Sequence, residues 1–251
     1  MTVRGGRDAA FAVASCAVLA AYNNVIGAQP WHRRWYAAAN GCAAAAALAA
    51  AAAGGLTAAD LGVGRGRWHP GTAACRLAAA TTAACLMAGT IPVTRPLLHD
   101  KRITALPGRA IVYQVAWRIP VGTVLWEEIA FRGVLQAALR RVMSEPAAIA
   151  VTSCVFGAWH IRPTAAALRV NGLAGDRGQA AVRVAAGVAA TTAGGALFSW
   201  VRARTGRLAA PALLHLATNC VAPVVAWAVA PERGPGLSSS RGGPARRRRC
   251  R

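Results

Sequence analysis

The chain has 251 residues, 55 % of them hydrophobic and only 15 % charged, and its mean hydropathy is positive. That composition excludes an ordinary soluble enzyme, which carries more charge and does not gather apolar residues into runs of membrane-spanning length. The net charge of +21, from 29 basic against 8 acidic residues, points to anionic lipid rather than nucleic acid, because the arginines cluster at the ends of apolar runs and in the C-terminal tail.

Apolar runs occupy 9–28, 36–55, 73–93, 111–139, 146–161, 179–201 and 208–230. All but 146–161 approach or exceed the roughly 17–25 residues that a spanning helix needs. The first run follows Arg4 and Arg7, as a signal peptide would, but its length and the spans after it make it a retained helix. The second is nearly unbroken alanine from Gly41-Cys42 to Gly54-Gly55, which permits close helix approach in lipid. Trp31, Trp35 and Trp68 stand at run ends as interfacial anchors. Pro120 predicts a kink in the fourth run, as one tilted helix or two segments. The fold class expected is therefore all-α: a polytopic transmembrane bundle of about seven spans, with six to eight allowed by the pattern. Basic residues concentrate in 94–109, 162–183 and the tail, which favours a cytoplasmic C-terminus. Residues 231–251, rich in Pro, Gly, Ser and Arg, read as a disordered basic tail that touches anionic lipid.

The seven cysteines are scattered without a close pair, so they define neither a disulfide framework nor a zinc ribbon. Lys101 is the only lysine and alanine is heavily used, which we read as the codon bias of a GC-rich genome.

Ionisable groups inside apolar runs carry the functional signal, since each costs about 2.5–3.5 kcal/mol to insert at a bilayer centre. Two of the four glutamates are adjacent, in Trp126-Glu127-Glu128-Ile129-Ala130-Phe131-Arg132. Glu128 and Arg132 lie four apart and can pair. Glu127 projects about 100° away on a helix, so one carboxylate can be neutralised while the other stays available. Phe156 and His160 share a face at the end of the fifth run, and His215 and Asn219 share one in the last span. His32, His69 and His99 fall in connecting segments without a comparable signal, and nothing polar of this kind marks the first three spans, so a site is expected between 127 and 219.

A carboxylate and an imidazole can activate water, and a histidine with an asparagine can donate to a developing oxyanion. That set suits amide hydrolysis within a membrane. Glu127, His160 and His215 also make a possible zinc set with an open position, although no HExxH is present.

These residues resemble the CPBP family (CAAX proteases and bacteriocin-processing enzymes, also called the Abi family), which includes type II CAAX prenyl endopeptidases. Its EExxxR motif is matched by Glu127-Glu128 through Arg132, its FxxxH motif by Phe156 to His160, and its HxxxN motif by His215 to Asn219. Thr205-Gly206-Arg207-Leu208 and Pro211 also look like the family's approach to its last motif. The resemblance covers about 111–226. It implies that Glu127 and His160 activate water and that His215 and Asn219 form the oxyanion site. Glu128 and Arg132 would then be a supporting pair with Phe156 packed beside them, in an enzyme that is either a zinc metalloprotease or a metal-free glutamate protease. Two departures stand out: the arginine-rich connection 162–183, and the bulky Trp159 immediately before His160, which is expected to narrow the cavity.

The organisation expected is N-terminal transmembrane helices over 1–110, a catalytic helical core over 111–230 and the tail over 231–251. The expected partners are the bilayer, a membrane-associated peptide or protein substrate and anionic lipid at the tail, with no nucleic acid. The expected location is a bacterial cell membrane, as a multi-pass protein. Two other readings keep the same residues: a non-catalytic scaffold or bacteriocin-immunity-type protein, and a small proton-coupled transporter.

Overall fold

The computed structural model describes residues 3–230, which are helical with no strand. The expected basic tail, 231–251, lies outside the described residues. Eight helices carry the architecture: α1 (Val3–Val25), α2 (Tyr36–Ala53), α3 (Thr72–Thr90), α4 (108–140), α5 (Glu145–Trp159), α6 (Ile161–Val170), α7 (Arg177–Thr205) and α8 (Ala209–Ala228). Short helical turns at Pro30–Arg34, Ala58–Leu61, Arg95–Leu98 and Lys101–Thr104 join them.

Five helices are long and apolar enough to cross a membrane: Gly5–Ala28, Tyr36–Ala53, Thr72–Thr90, Arg177–Thr205 and Ala209–Ala228. Large apolar side chains such as Val13, Val18, Leu86 and Val182 face outward from them, the inversion expected when lipid is the solvent. The other two apolar runs differ. The fourth lies within α4, which carries three buried charges. The fifth forms α5, whose 15 residues reach only about 22 Å at 1.5 Å per residue.

Pro120 does not divide the fourth run, as one expectation had it. The helix continues from 108 to 140, with wider π turns over Gln114–Leu125 and Glu128–Leu135. A proline inside a π-wound stretch frees the carbonyl five residues back, that of Val115, and the Cys220 thiol of α8 donates to it at 3.6 Å. A side chain from a neighbouring helix thus meets the carbonyl that the proline leaves without an amide donor.

Two apolar clusters flank α4. One joins residues of α1, α2, α4 and α5, including Ala12, Leu19, Ala44, Ala51, Phe131 and Trp159. The other joins α3, α7 and α8 through Ala74, Phe198, Val201, Ala210 and Leu214. Small residues set the approach distances. Ala37, Asn40, Ala44 and Ala51 fall on one face of α2 and are buried. Against that face lies Gly122 of α4, where an added Cβ would come 2.7 Å from the Tyr36 ring and 3.1 Å from the Ala37 backbone.

Glycine serves α5 and α7 in the same way. A Cβ at Gly157 would collide with the Thr192 side chain and stand 3.1 Å from the Val188 carbonyl oxygen. One at Gly195 would press to 3.0 Å on the Phe156 ring. These contacts hold α7 close enough to reach the charged residues of α4. Gly157→Val is therefore expected to destabilise the fold by about 1–3 kcal/mol through overpacking. Thermal unfolding of the detergent-purified variant measures this, and an unchanged midpoint would contradict the close contact.

Candidate functional site

Every residue from Glu128 to Leu135 is buried, so the charges on this stretch must find partners inside the protein. Glu128 and Arg132 face each other one turn apart, with Arg132 NH1 3.1 Å from Glu128 Oε1. The same carboxylate oxygen accepts from His215 Nδ1 of α8 at 2.8 Å. Arg132 NH2 also donates to the Gly195 carbonyl of α7 at 3.4 Å, and one turn further along, Gln136 Nε2 donates to the Ser199 carbonyl at 3.0 Å. One face of α4 is thereby tied to α7 at two successive turns and to α8 through a single imidazole.

The Arg132 guanidinium also lies 4.2 Å from the Phe156 ring centroid and 5.1 Å from that of Phe198. Aromatic faces on two helices therefore receive a fully buried cation.

Glu127 points elsewhere. Its Oε1 accepts from the Trp159 indole N–H at 3.2 Å, and its Oε2 stands 3.9 Å from His215 Nε2. It is 4 % exposed and receives a single donor, whereas Glu128 receives two on one oxygen. The two adjacent carboxylates therefore differ in charge compensation.

His215 sits between them. Its Nδ1 proton goes to Glu128, and its Nε2 lone pair accepts from Asn219 Nδ2 at 3.0 Å. The Thr218 hydroxyl donates to the His215 carbonyl at 2.8 Å and stands 3.3 Å from Asn219 Oδ1, and the bond to the imidazole orients the Asn219 NH2. His160 closes α5, with its Nδ1 donating to the Phe156 carbonyl at 2.7 Å, so Nε2 is the acceptor nitrogen. Its ring meets Phe156 edge to face at 4.6 Å, and Phe156 in turn lies 6.4 Å from the His215 ring.

All seven residues singled out from the sequence surround this one region. Glu128, Arg132, His215 and Asn219 are linked by hydrogen bonds, and Glu127 Oε2 approaches His215 Nε2 to 3.9 Å. His160 is linked to them through Phe156.

The possible zinc set does not converge. Among the described residues, no three His, Cys, Asp or Glu side chains are placed to hold a metal ion. Of Glu127, His160 and His215, one pair approaches, at 3.9 Å, and both His215 nitrogens already have hydrogen-bond partners. The donor set as placed does not fit zinc.

Two expectations about the surroundings need correction. Nothing polar like the later cluster is expected in the first three spans, and His32 is expected to carry no comparable signal in its connecting segment. His32 is instead 1 % exposed and Asn40 2 % exposed. His32 Nε2 and the Tyr22 hydroxyl both approach Asn40 Oδ1, at 2.9 and 3.0 Å. Asn40 Nδ2 donates to the Gly122 carbonyl of α4 at 2.6 Å. An asparagine near the start of the alanine-rich helix Tyr36–Ala53 was the available signal. Trp159, expected to narrow the cavity, also bonds Glu127 directly.

Residues 110–221 match the family model of the Rce1-like type II CAAX prenyl endopeptidases. That segment, less than half of the chain, is similar to the Rce1-like family. It contains every residue of the site described here and suggests a CAAX-type intramembrane protease, while α1 to α3 fall outside the match. Comparison with curated proteins and with solved structures found no match.

Removing Arg132 would leave Glu128 buried with one neutral donor. Arg132→Ala is therefore expected to lose about 3–5 kcal/mol, enough to abolish folded protein in a marginally stable bundle. The amount of monodisperse protein recovered in detergent, beside wild type, measures this. Normal recovery would show that the pair does not hold the fold.

Proposed function

We propose that the chain is an intramembrane endopeptidase that hydrolyses a peptide bond in a membrane-associated peptide or protein, with Glu127 as the general base. The observation that carries this reading is the unequal treatment of two adjacent carboxylates. Glu128 is bonded by Arg132 and His215, while Glu127 has one indole donor and an oxygen directed toward His215. A scaffold has no use for a buried carboxylate left so lightly compensated.

In the reaction, Glu127 takes a proton from water as the water oxygen attacks the scissile carbonyl carbon, with His160 Nε2 as a second acceptor for the water. The carbonyl π electrons move to oxygen. The second N–H of the Asn219 amide, whose first is held by His215, donates to that oxyanion. Collapse breaks the C–N bond, and the proton held by Glu127 passes to the leaving amine. Glu128 and Arg132 fix His215, and His215 fixes Asn219, so the donor is oriented before charge develops. The 111–230 segment is the catalytic core in this proposal, with the helices of 1–110 packed on it. The family's name supplies the first substrate to try, a prenylated cysteine near a C-terminus. A bacterial peptide precursor or an anchored regulator fits the same chemistry.

The test compares membrane-peptide termini in cells that express wild type or Glu127→Ala to equal levels. Loss of general-base catalysis is expected to lower the rate by about 10²–10⁴-fold, so termini produced by wild type should vanish in the variant. Identical termini with both proteins would favour a scaffold, and flux that depends on an ion gradient would favour a transporter.

A further inference from the structure

The end of α1 lies against the end of α5, where His160 and Trp159 sit. Helix α5 stops there, and its last carbonyls need donors from elsewhere. Asn24 Nδ2 donates to the Ala158 carbonyl at 2.8 Å and Asn23 Nδ2 to the Trp159 carbonyl at 3.3 Å. The Asn24 side-chain oxygen accepts from the Arg162 amide at 3.0 Å, in the first turn of α6. Two consecutive asparagines of α1 thus cap α5 from a distant part of the chain and guide it into α6.

The residue before them, Tyr22, stacks on the Trp159 indole, with centroids 5.5 Å apart and planes 2° from parallel. The opposite constraint comes from Phe131 of α4, edge-on to Trp159 at 5.3 Å and 87°. Tyr22 cannot slide, because its hydroxyl donates to Asn40 Oδ1, and Asn40 is anchored to α4 through Gly122. His32 bonds the same Asn40 oxygen. A continuous chain of contacts therefore runs from His32 and Asn40 through Tyr22 and Trp159 to Glu127. Its first three members lie outside the Rce1-like segment.

We propose that Tyr22, held by Asn40, is a positioning residue for the reaction: it clamps Trp159, whose indole N–H in turn aims the Glu127 carboxylate. The inference rests on the proteolytic reading above. It makes α1 and α2 part of the catalytic device as well as membrane anchors. Its physical basis is that a base displaced by a fraction of an ångström keeps substrate binding but loses rate.

The test uses the full-length protein in detergent micelles and a quenched fluorescent peptide with an S-farnesylcysteine three residues from its C-terminus. Rates are normalised to monodisperse protein. Trp159→Phe, which keeps a ring and removes the N–H, is expected to lower kcat about tenfold or more with KM changed less than about twofold. Tyr22→Leu is expected to do the same, while Tyr22→Phe, which retains the stacked ring but loses the hydroxyl bond to Asn40, is expected to fall between Tyr22→Leu and wild type. The double variant Tyr22→Leu/Trp159→Phe should be no slower than the worse single one, because both changes break one chain.

A Tyr22→Leu enzyme with wild-type kcat would overturn the proposal. So would losses that multiply in the double variant, or losses in KM rather than kcat. Glu127→Gln on the same probe separates the two claims. If it abolishes cleavage while Tyr22→Leu does not affect it, positioning fails and the proteolytic reading stands. A probe left intact by wild type, or cut normally by Glu127→Gln, defeats the proteolytic reading and the positioning proposal with it.

Discussion

One buried carboxylate oxygen organises the centre of this protein. Glu128 Oε1 accepts from Arg132 on its own helix and from His215 on α8. Desolvating these charges opposes folding, and the contacts at Glu128 Oε1 offset that cost, while Glu128 Oε2 and Arg132 Nε stay buried without a hydrogen-bond partner. Arg132 must stay against Glu128 and the rings of Phe156 and Phe198, so α5 and α7 are drawn in. The glycines at 157 and 195 allow the approach. His215 must keep its Nδ1 on Glu128, which turns its Nε2 toward Asn219. The packing of four helices and the orientation of one amide donor thus follow from satisfying a single anion.

The neighbouring Glu127 is the counterpart of that arrangement. It occupies the same helix turn but looks toward the aromatic side, where Tyr22 and Phe131 flank its partner Trp159. Giving one oxygen of the first carboxylate two donors and leaving the next carboxylate singly bonded in an aromatic setting separates a structural role from a chemical one. The N-terminal helices matter to the second setting. Their asparagines satisfy the backbone where α5 ends, beside the two residues that reach toward the reaction.

Much of this could be read before any coordinates. Four-residue spacings within Glu128–Arg132, Phe156–His160 and His215–Asn219 put each pair on one helix face, and the expense of polar groups in lipid told that those faces must turn inward. The class of fold followed from run length. What escaped the sequence reading depends on contacts between residues far apart in the chain. The Trp159 indole meets a carboxylate 32 positions away, and nothing local marks it as a donor rather than a core aromatic. His32 looked like a linker residue because the rest of the short Pro30–Arg34 turn is exposed, and its own burial comes from contacts with Tyr22 of α1 and Asn40 of α2. The π winding of α4 lets a proline sit within an unbroken helix, which a rule based on i→i−4 hydrogen bonds reads as a kink.

The central claim is that Glu128 holds the fold while Glu127 is spare to it. Thermal unfolding of Glu127→Gln beside Glu128→Gln, in one detergent and at one pH, tests that division most directly. The account predicts a midpoint near wild type for Glu127→Gln and a large loss, or no recoverable folded protein, for Glu128→Gln. Equal losses, or the reverse order, would contradict it.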